Sequence, residues 1–333
     1  MARKGTLIRS LTVLAAGTAL LAAALYWIPE LRGGSPDRTR ITVIIKSQTQ
    51  SMEFWEVLSD GVEVAAREFD VDVDIVGPDR ETQIERQIEL VEQALRDKPD
   101  AIVMAATDYN RLVPYAERVD AAGIPVLTVD SALNSDVTRS FIATDNMEAG
   151  RKVGMKMAEL AGDRPRSKIA IISFVRGTSS QIDRELGVRA VLEDDERFEI
   201  VGTYYSDGDE EKAYETTKQL LLKHTDLTGI VGLNEPSSVG AGRAIKELGA
   251  VGRITLVGFD SSIDEVKLLE EGVMQATVVQ RPFNMGYLGV KTAVEVLRGV
   301  KVPKRIDTGS VVITKDNIYE EENQKLLFPF VER

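Results

Sequence analysis

The sequence predicts an α/β protein with two doubly wound parallel-sheet lobes joined by a hinge and preceded by an N-terminal membrane helix. From Ile41 onward, apolar strands alternate with stretches of helical period, which is typical of βαβ units. A fresh strand at residues 168–174 starts a second series of the same kind, so two similar lobes are expected. The length of 333 residues accommodates two domains and an appendage.

The amino terminus, residues 1–32, is predicted to be a membrane anchor or signal segment. Arg3, Lys4 and Arg9 precede an apolar run at residues 11–28 that ends with Tyr26 and Trp27, a pattern that leaves the amino end in the cytoplasm. We favour an uncleaved anchor over a cleaved signal because the run is near the length that spans a bilayer. The body is then extracytoplasmic and anchored to the cell membrane, or secreted or periplasmic after cleavage. Residues 33–40 are predicted to be a polar linker.

The first series shows the expected periodicities. Two predicted helices each carry an apolar stripe that can pack on a sheet, and two strands are alternating or continuously apolar. The stripes consist of Leu58, Val62, Ala65 and Phe69, and of Ile84, Ile88, Val91 and Leu95; the strands lie at 71–75 and 101–105.

The second series continues to the last third of the chain. After the strand at 168–174, helices and strands alternate at 182–192, 197–206, 211–223, 229–234, 238–248, 254–260, 263–271 and 276–280. The ligand cleft is expected between the strand ends of the two lobes.

Composition excludes several classes of function. Asp and Glu number 53 against 41 Lys and Arg, and the resulting charge of -12 repels nucleic acid. The chain has no cysteine, which excludes disulfides and thiolate chemistry. The single histidine, His224, lies near a predicted helix end, where a cation suits the helix dipole. Neither a catalytic triad nor a metal site is therefore expected, and no cofactor is predicted.

Polar residues follow the apolar strands of both series. Because parallel strands bring their carboxyl ends to one rim, these residues are expected to form a site for a neutral, hydroxyl-rich small molecule. They are Lys46-Ser47, Asp108, Asp130, Asp145-Asn146, Arg176, Asn234, Asp260 and Gln280.

Several of these candidates have alternative interpretations. Phe54 and Trp55 open the first helix and are expected either to face the cleft, where aromatic rings pack on sugar C–H faces, or to anchor the helix in the core. Arg184 is either a guanidinium that binds two hydroxyls or a surface residue. Asn146 with Glu148 is more simply a helix cap than a ligand contact. Asn234, Asp260 and Gln280 follow successive strands, which favours ligand contacts over turn chemistry.

Two motifs that could indicate an enzyme do not. Gly240-Ala-Gly242 lacks the third small residue of a dinucleotide fingerprint, since Ile245 stands there, and we assign it to close helix packing. Paired carboxylates, such as Glu210-Glu211, lie on predicted exposed faces. No enzymatic activity is predicted.

The motifs as an ordered set resemble the ribose-binding protein family, the type I periplasmic sugar-binding proteins that share a core with lac-repressor-like regulators. The likeness covers roughly residues 41–313. The matching stretches are 54–61, 122–126 with Asp130, 141–146 with Gly150, 177–179 through Arg184, 257–260, and Gln280.

The resemblance implies lobe boundaries and ligand contacts. In this family the chain returns late to the first lobe, with a strand at 305–314 crossing back. The implied lobes are 41–143 plus 281–308 and 144–280 plus 309–320, followed by a tail at 321–333. The implied contacts are Phe54, Trp55, Asp130, Arg184, Asn234, Asp260 and Gln280.

Three positions depart from ribose binders. Ser131 stands where they carry an arginine, Gly208 where they carry an aromatic residue, and Lys46 near a position that is often small and polar. We include Lys46 and Ser131 among the candidate contacts. The departures point away from ribose and leave a pentose, a hexose or a cyclitol as the ligand.

The resemblance implies a substrate-binding component of an ABC sugar importer, whose hinged lobes close on the ligand before the permease recognises them. The alternative is a membrane-anchored sugar sensor subunit that reports its ligand to a histidine kinase. The anchor and the lack of a cysteine for lipid attachment favour this alternative.

Overall fold

The structure, a computed structural model, describes residues 38–49 and 53–328. The predicted membrane segment at 1–32 and the linker up to residue 37 lie outside the described residues. Among the residues that are described, no helix combines the length and hydropathy needed to cross a bilayer.

Strands and helices alternate along the described chain, as the sequence predicts. The strands are β1 (Arg40–Ile44), β2 (Asp72–Val76), β3 (Ala101–Met104), β4 (Val126–Val129), β5 (Phe141–Ala143), β6 (Ser167–Ser173), β7 (Phe198–Tyr205), β8 (Gly229–Gly232), β9 (Thr255–Phe259), β10 (Ala276–Val279), β11 (Arg305–Asp307) and β12 (Val311–Thr314). The helices are α1 (Glu53–Phe69), α2 (Ile84–Asp97), α3 (Val113–Ala121), α4 (Asn146–Ala161), α5 (Ser179–Leu192), α6 (Glu210–Lys223), α7 (Glu235–Glu247), α8 (Ile263–Glu270), α9 (Pro282–Leu297) and α10 (Glu321–Leu327).

The described strands form two sheets with matching topology. The first has the order β2-β1-β3-β4-β5-β11 and the second the order β7-β6-β8-β9-β10-β12. Neighbouring strands are parallel in both sheets except that β12 runs antiparallel to β10. The order reverses between β1 and β3 in one sheet and between β6 and β8 in the other. Ligands bind beyond the carboxyl ends of strands at such reversal points.

Helices cover both faces of each sheet. The central strands β3, β4, β8, β9 and β10 are buried along their whole length, as continuous apolar runs require. On α1, Leu58, Val62 and Ala65 of the predicted stripe are buried, and Phe69 packs against the same core. Residues of successive strand positions enter opposite cores, with Val43 on the α1 side and Ile44 on the α2 side.

The chain crosses between the sheets late, as the resemblance implies. After β10, helix α9 packs on α1, and β11 pairs with β5 of the first sheet. The chain then crosses back, and β12 pairs with β10. The strand expected at 305–314 is therefore two strands, one in each sheet. The lobe boundaries at 41–143 plus 281–308 and at 144–280 plus 309–320 stay a proposal.

The segment predicted as a tail contains a helix that the sequence did not reveal. Helix α10 occupies 321–327, and Leu327 is buried in a core cluster of the second lobe. Leu326 and Phe328 pack against the same cluster. Residues 329–333 lie outside the described part.

Close approach of α9 to α1 fixes the returning chain on the first lobe. A Cβ atom at Gly286 would overlap the carbonyl oxygen of Leu58, and one at Gly61 would overlap the carbonyl oxygen of Phe283. Both collisions involve backbone atoms, which cannot rotate away. The two glycines thus set the distance between these helices.

We expect Gly286→Ala to lower the free energy of unfolding by about 1–3 kcal/mol, because the added methyl group forces the helices apart. Urea unfolding followed by circular dichroism measures the change. Lys291→Ala on α9, where the lysine side chain is 41% exposed, is the control, with an effect within about 0.5 kcal/mol. An equal effect of the two substitutions contradicts the role given to this contact.

Candidate functional site

The strand ends of the two lobes face each other across a small polar cavity. Its volume is about 20 Å³, which is roughly the space that one water molecule needs, so the lobes are closely apposed here. Of the nine ligand contacts proposed from the sequence, eight line it and Ser131 does not. The lining residues are Lys46, Phe54, Trp55, Glu81, Asp130, Phe174, Ser180, Arg184, Asn234, Asp260 and Gln280.

Lys46 is the centre of the first lobe's half of the site. It follows β1 at the topological reversal, and only 2% of its surface is exposed. Its Nζ lies 2.9 Å from Asp130 Oδ2 and 4.0 Å from Glu81 Oε1, and it donates a hydrogen bond of 3.0 Å to Ser131 Oγ. The ammonium also lies 5.5 Å from the centre of the Trp55 ring. Ser131, although outside the lining, therefore positions the lysine.

Arg184 is the corresponding cation of the second lobe. It lies on α5 with 2% of its surface exposed, so its surface interpretation is wrong. Nε donates to Asn146 Oδ1 and Nη1 to the Leu233 carbonyl oxygen, each at 2.8 Å. Nη1 is 4.0 Å from Asp260 Oδ2, and the guanidinium stacks 3.8 Å from the centre of the Phe259 ring. These contacts hold the guanidinium plane in one orientation.

Two aspartates hold a strained backbone at equivalent places in the two lobes. Asp130 directly follows β4 with φ 56°, and Asp260 directly follows β9 with φ 79°. Left-handed conformations are unfavourable for residues with a side chain and cluster at functional sites. The amides donate to the carbonyl oxygens of Ile142 and Val278 on the neighbouring strand, at 3.0 and 2.9 Å. The turn thereby aims each carboxylate into the cleft.

Around Asp260, amide groups complete the second half of the site. Gln280 Nε2 donates to Asp260 Oδ1 at 2.5 Å, and the Glu235 amide donates to Asp260 Oδ2 at 3.1 Å. Asn234 caps α7 by accepting from the Ser237 amide and lines the cavity as well. Its turn chemistry and a ligand contact are therefore compatible. Gln280 Oε1 has no hydrogen-bond partner within residues 38–49 and 53–328.

Aromatic rings from both lobes complete the walls. Phe54 and Trp55 belong to the core of the first lobe and also line the cavity, with their rings edge to face at 4.9 Å. Phe174, which follows β6, lies 5.7 Å from Lys46 Nζ and 5.3 Å from the Arg184 guanidinium. Phe174 is thus placed between the cations of the two lobes.

Direct hydrogen bonds join the lobes beside the cavity. Ser131 Oγ lies 3.0 Å from Ser180 Oγ, and the Ala132 amide donates to Ser179 Oγ at 2.7 Å. Each contact pairs the loop after β4 with the first turn of α5. The two lobes are therefore in direct hydrogen-bonded contact beside the cavity.

Burial controls the ionisation of the site. It raises the pKa of Glu81 and of Asp260, while Lys46 lowers the pKa of Glu81 and Arg184 lowers that of Asp260. Burial also lowers the pKa of Arg184, and the surrounding carboxylates oppose this. With Asp130, three acidic side chains face two basic ones. The site is rich in donors and acceptors but has little net charge.

Sequence reasoning missed Glu81, Phe174 and Ser180. Glu81 is in the loop before α2, where its Oε1 accepts from Trp55 Nε1 at 3.2 Å; its Oε2 has no hydrogen-bond partner in the part of the chain that the structure describes. It lies five residues beyond β2, so the rule of polar residues directly after strands does not find it. Phe174 lies within the apolar strand that the sequence predicts at 168–174, and Ser180 does not follow any predicted strand.

Other strand-end residues serve turns, caps or the surface. Asp108 Oδ1 accepts from the amides of Asn110 and Arg111, which closes a turn. Arg176 is exposed and stacks 4.3 Å from the centre of the Tyr205 ring. Neither residue lines the cavity.

The cap of α4 is shifted by one residue from the prediction. Asp145, not Asn146, caps the helix by accepting from the Glu148 amide at 3.1 Å. Asn146 is buried in the first turn, where its side chain orients Arg184. Asn146 therefore orients Arg184, and we do not propose it as a ligand contact.

No group of three or more His, Asp or Glu side chains among the described residues is arranged to hold a metal ion.

The Gly240-Ala-Gly242 motif lies in α7, where a Cβ atom at Gly240 would overlap the carbonyl oxygen of Glu210 of α6. Close helix packing thus explains the motif.

Comparison of the chain with known proteins agrees with this geometry. The family model described as a periplasmic binding protein domain matches residues 41–301. The ribose import binding protein of Bacillus subtilis is 27% identical over 272 residues, covering 82% of this chain and 87% of that protein.

Two solved structures show similar folds. One is a solute-binding protein of an ABC transporter from Agrobacterium vitis with bound D-fucose, at 37% identity and a TM-score of 0.83, covering 86% of this chain and 99% of that chain. The other is a carbohydrate transporter solute-binding protein from Agrobacterium radiobacter in complex with D-arabinose, at 27% identity and a TM-score of 0.84, covering 88% and 100%.

Matched doubly wound lobes with a polar cavity between their strand ends define a two-lobed binding protein. The chain belongs to the type I periplasmic sugar-binding family. Membership places it among extracytoplasmic binding proteins and not among enzymes.

We expect Arg184→Met to lower the free energy of unfolding by about 3–5 kcal/mol at pH 7, because it leaves buried carboxylates without their cation. The loss should shrink at pH 5, since removal of Arg184 raises the pKa of Asp260 and a protonated carboxyl tolerates burial. Denaturant unfolding at both pH values measures this.

Arg166→Met is the matched control, because Arg166 forms an exposed ion pair with Glu199. Its loss should be no more than about 1 kcal/mol at either pH. An Arg184→Met loss as small as that of the control, or one that grows at pH 5, contradicts the electrostatic role of Arg184.

Proposed function

We propose that this protein binds one neutral monosaccharide between its lobes and presents it to the permease of an ABC importer. The observation that carries the proposal is the buried, nearly charge-balanced set of Lys46, Asp130, Arg184 and Asp260. A sugar hydroxyl both donates and accepts hydrogen bonds, so it can pair with a cation and a carboxylate together. A strongly charged ligand would upset the balance.

The remaining walls suit the other surfaces of a sugar. The rings of Phe54, Trp55 and Phe174 offer apolar faces for C–H groups. Asn234 and Gln280 offer amides at the cavity wall, and we propose both as ligand contacts. An analogue that lacks one hydroxyl would leave a buried group unpaired at about 1–3 kcal/mol. Discrimination among monosaccharides then depends on hydroxyl positions.

The relatives narrow the ligand class. D-fucose is bound in the Agrobacterium vitis protein and D-arabinose in the Agrobacterium radiobacter protein. Their presence supports a pentose or a hexose of similar size. Lys46 and Ser131 stand where the sequence departs from ribose binders, and we propose that their contacts with Asp130 favour a sugar other than ribose.

Closure on a hinge accounts for access to the buried cavity. The cavity lining comes from both lobes, and the Ser131–Ser180 contact joins them. The lobes must separate for a sugar to enter, and the closed form is then the one that a permease can recognise. Anchoring through residues 1–32 stays part of the proposal. The sensor alternative gains no support from the relatives.

A panel of pentoses, hexoses and inositols tests the proposal by thermal shift. We expect at least one monosaccharide to raise the melting temperature, because a ligand that binds only the native state stabilises it. No shift with any sugar contradicts monosaccharide binding.

Asp260→Asn should weaken binding of the selected sugar by about 10–100-fold, equivalent to the loss of a charged hydrogen bond at about 1.5–3 kcal/mol. Asp264→Asn, an exposed acid at the start of α8, should bind as wild type does. Calorimetry measures both affinities, and wild-type affinity of Asp260→Asn rejects the assigned site.

A further inference from the structure

Glu235 is a buried acid that joins the two lobes next to the sugar cavity. It is the first residue of α7 in the second lobe, and only 5% of its surface is exposed. It lines an interlobe cavity together with Glu53, which is the first residue of α1. Its Oε2 finds no hydrogen-bond partner among the residues that the structure describes.

The charged groups that raise the pKa of Glu235 are acidic. Glu53 faces it from α1, Asp260 from the loop after β9, and Glu265 from α8. Glu265 is buried, and neither of its carboxyl oxygens has a hydrogen-bond partner within the described ranges. The cluster of Glu235, Glu265, Asp260 and Glu53 is shared between the lobes, because Glu53 belongs to the first lobe and the others to the second.

Basic residues near this cluster are occupied elsewhere. Glu235 lines an interlobe cavity that also contains Arg80, Lys212 and Arg243. These bases pair with the acids Asp209, Asp207 and Glu210, respectively. The other acids on the wall are Glu53, Glu81, Glu211 and Asp264. Arg184 lies 4.0 Å from Asp260, and among the described residues that line this cavity every base is paired with an acid other than Glu235.

The closed arrangement therefore favours a proton on Glu235. Burial, reinforced by Asp260 and Glu53, raises the pKa of Glu235 to about 8. When the lobes separate, the carboxyl group meets water and moves away from Glu53. Its pKa should then fall towards its ordinary value of 4.5.

We propose that closure of the lobes on the sugar loads a proton onto Glu235, so that sugar binding and proton uptake are coupled. The proposal rests on the binding function and hinge closure proposed above. The protonated carboxyl avoids like-charge repulsion from Asp260 and Glu53. The ionised carboxylate would have to share the closed cleft with three further acids.

The direction of the pH effect follows from the two states. Below pH 4.5 the carboxyl is protonated in the open and closed forms, and above pH 8 it is ionised in both, so affinity is level at each extreme. Between these values closure takes up a proton, and affinity falls as pH rises, by up to about tenfold per pH unit. The protein would therefore hold its sugar more firmly in an acidic medium.

Calorimetric titration with the tightest sugar of the panel tests the coupling. At pH 6.5, titrations in buffers of different ionisation enthalpy should give an uptake of about one proton per sugar by the full chain. Glu235→Gln keeps the shape of the side chain and should take up much less. Between pH 5.5 and 7.5 the dissociation constant of the wild type should rise by about tenfold per pH unit, and that of the variant much less.

Glu211→Gln is the matched control, because Glu211 is an exposed acid on the same cavity wall. It should keep the wild-type uptake. If the wild type binds sugar without taking up a proton, the coupling is wrong. If Glu235→Gln takes up as many protons as the wild type, Glu235 is not the group that accepts the proton, and the proposal is overturned as well. Failure of every sugar to bind would instead reject the binding function itself.

Discussion

The architecture of the cleft depends on two buried ion pairs, one in each lobe. Lys46 with Asp130 belongs to the first lobe, and Arg184 with Asp260 belongs to the second. A buried charge without a partner would be strongly destabilising, whereas within each pair the two opposite charges largely neutralise each other. The two half-sites can therefore approach each other without strong repulsion. Each half-site still has hydrogen-bonding capacity that only a polar ligand can satisfy.

The backbone stores strain to keep these pairs in place. Asp130 and Asp260 both adopt left-handed conformations, at about 1–3 kcal/mol each. Strand hydrogen bonds on either side hold the turns, so the strain persists in the folded state. The equivalent positions of the two turns, after β4 and β9, reflect the matching strand orders of the sheets. The two half-sites thus have the same arrangement of strand, turn and aspartate, with a lysine as the cation in one lobe and an arginine in the other.

Much of the fold could be read from the sequence, because its periodicities report burial directly. Elements of the second series are shifted by at most three residues, as for the helix starts at 179 and 235 against 182 and 238. Helix α10 was not foreseen, since its docking depends on a surface made by distant strands. The cap at Asp145 was placed one residue late, because neighbouring Asp and Asn residues are equally good caps.

From the strand pattern alone, the site could be predicted only where a polar residue closely follows a strand, whereas Phe54, Trp55 and Arg184 lie on helices and are implied as contacts by the family resemblance. Asp130, Asn234, Asp260 and Gln280 meet this condition, and the structure brings all of them to one cavity. Glu81 and Ser180 reach the cavity from a loop and a helix turn, which a linear pattern does not show. Glu235 is hidden for a different reason. Its surroundings come from residues of both lobes, which are distant in the sequence and are brought together only when the chain folds.

The central claim is that the two half-sites close around one sugar. The most direct test is to measure the distance between the two lobes in solution. Because the chain has no cysteine, cysteines replacing the exposed Glu89 on α2 and Glu215 on α6 can carry a pair of spin labels without background. The account predicts that the tightest sugar of the panel shortens and narrows the distance distribution measured by pulsed electron spin resonance. An unchanged distribution under saturating sugar would contradict it.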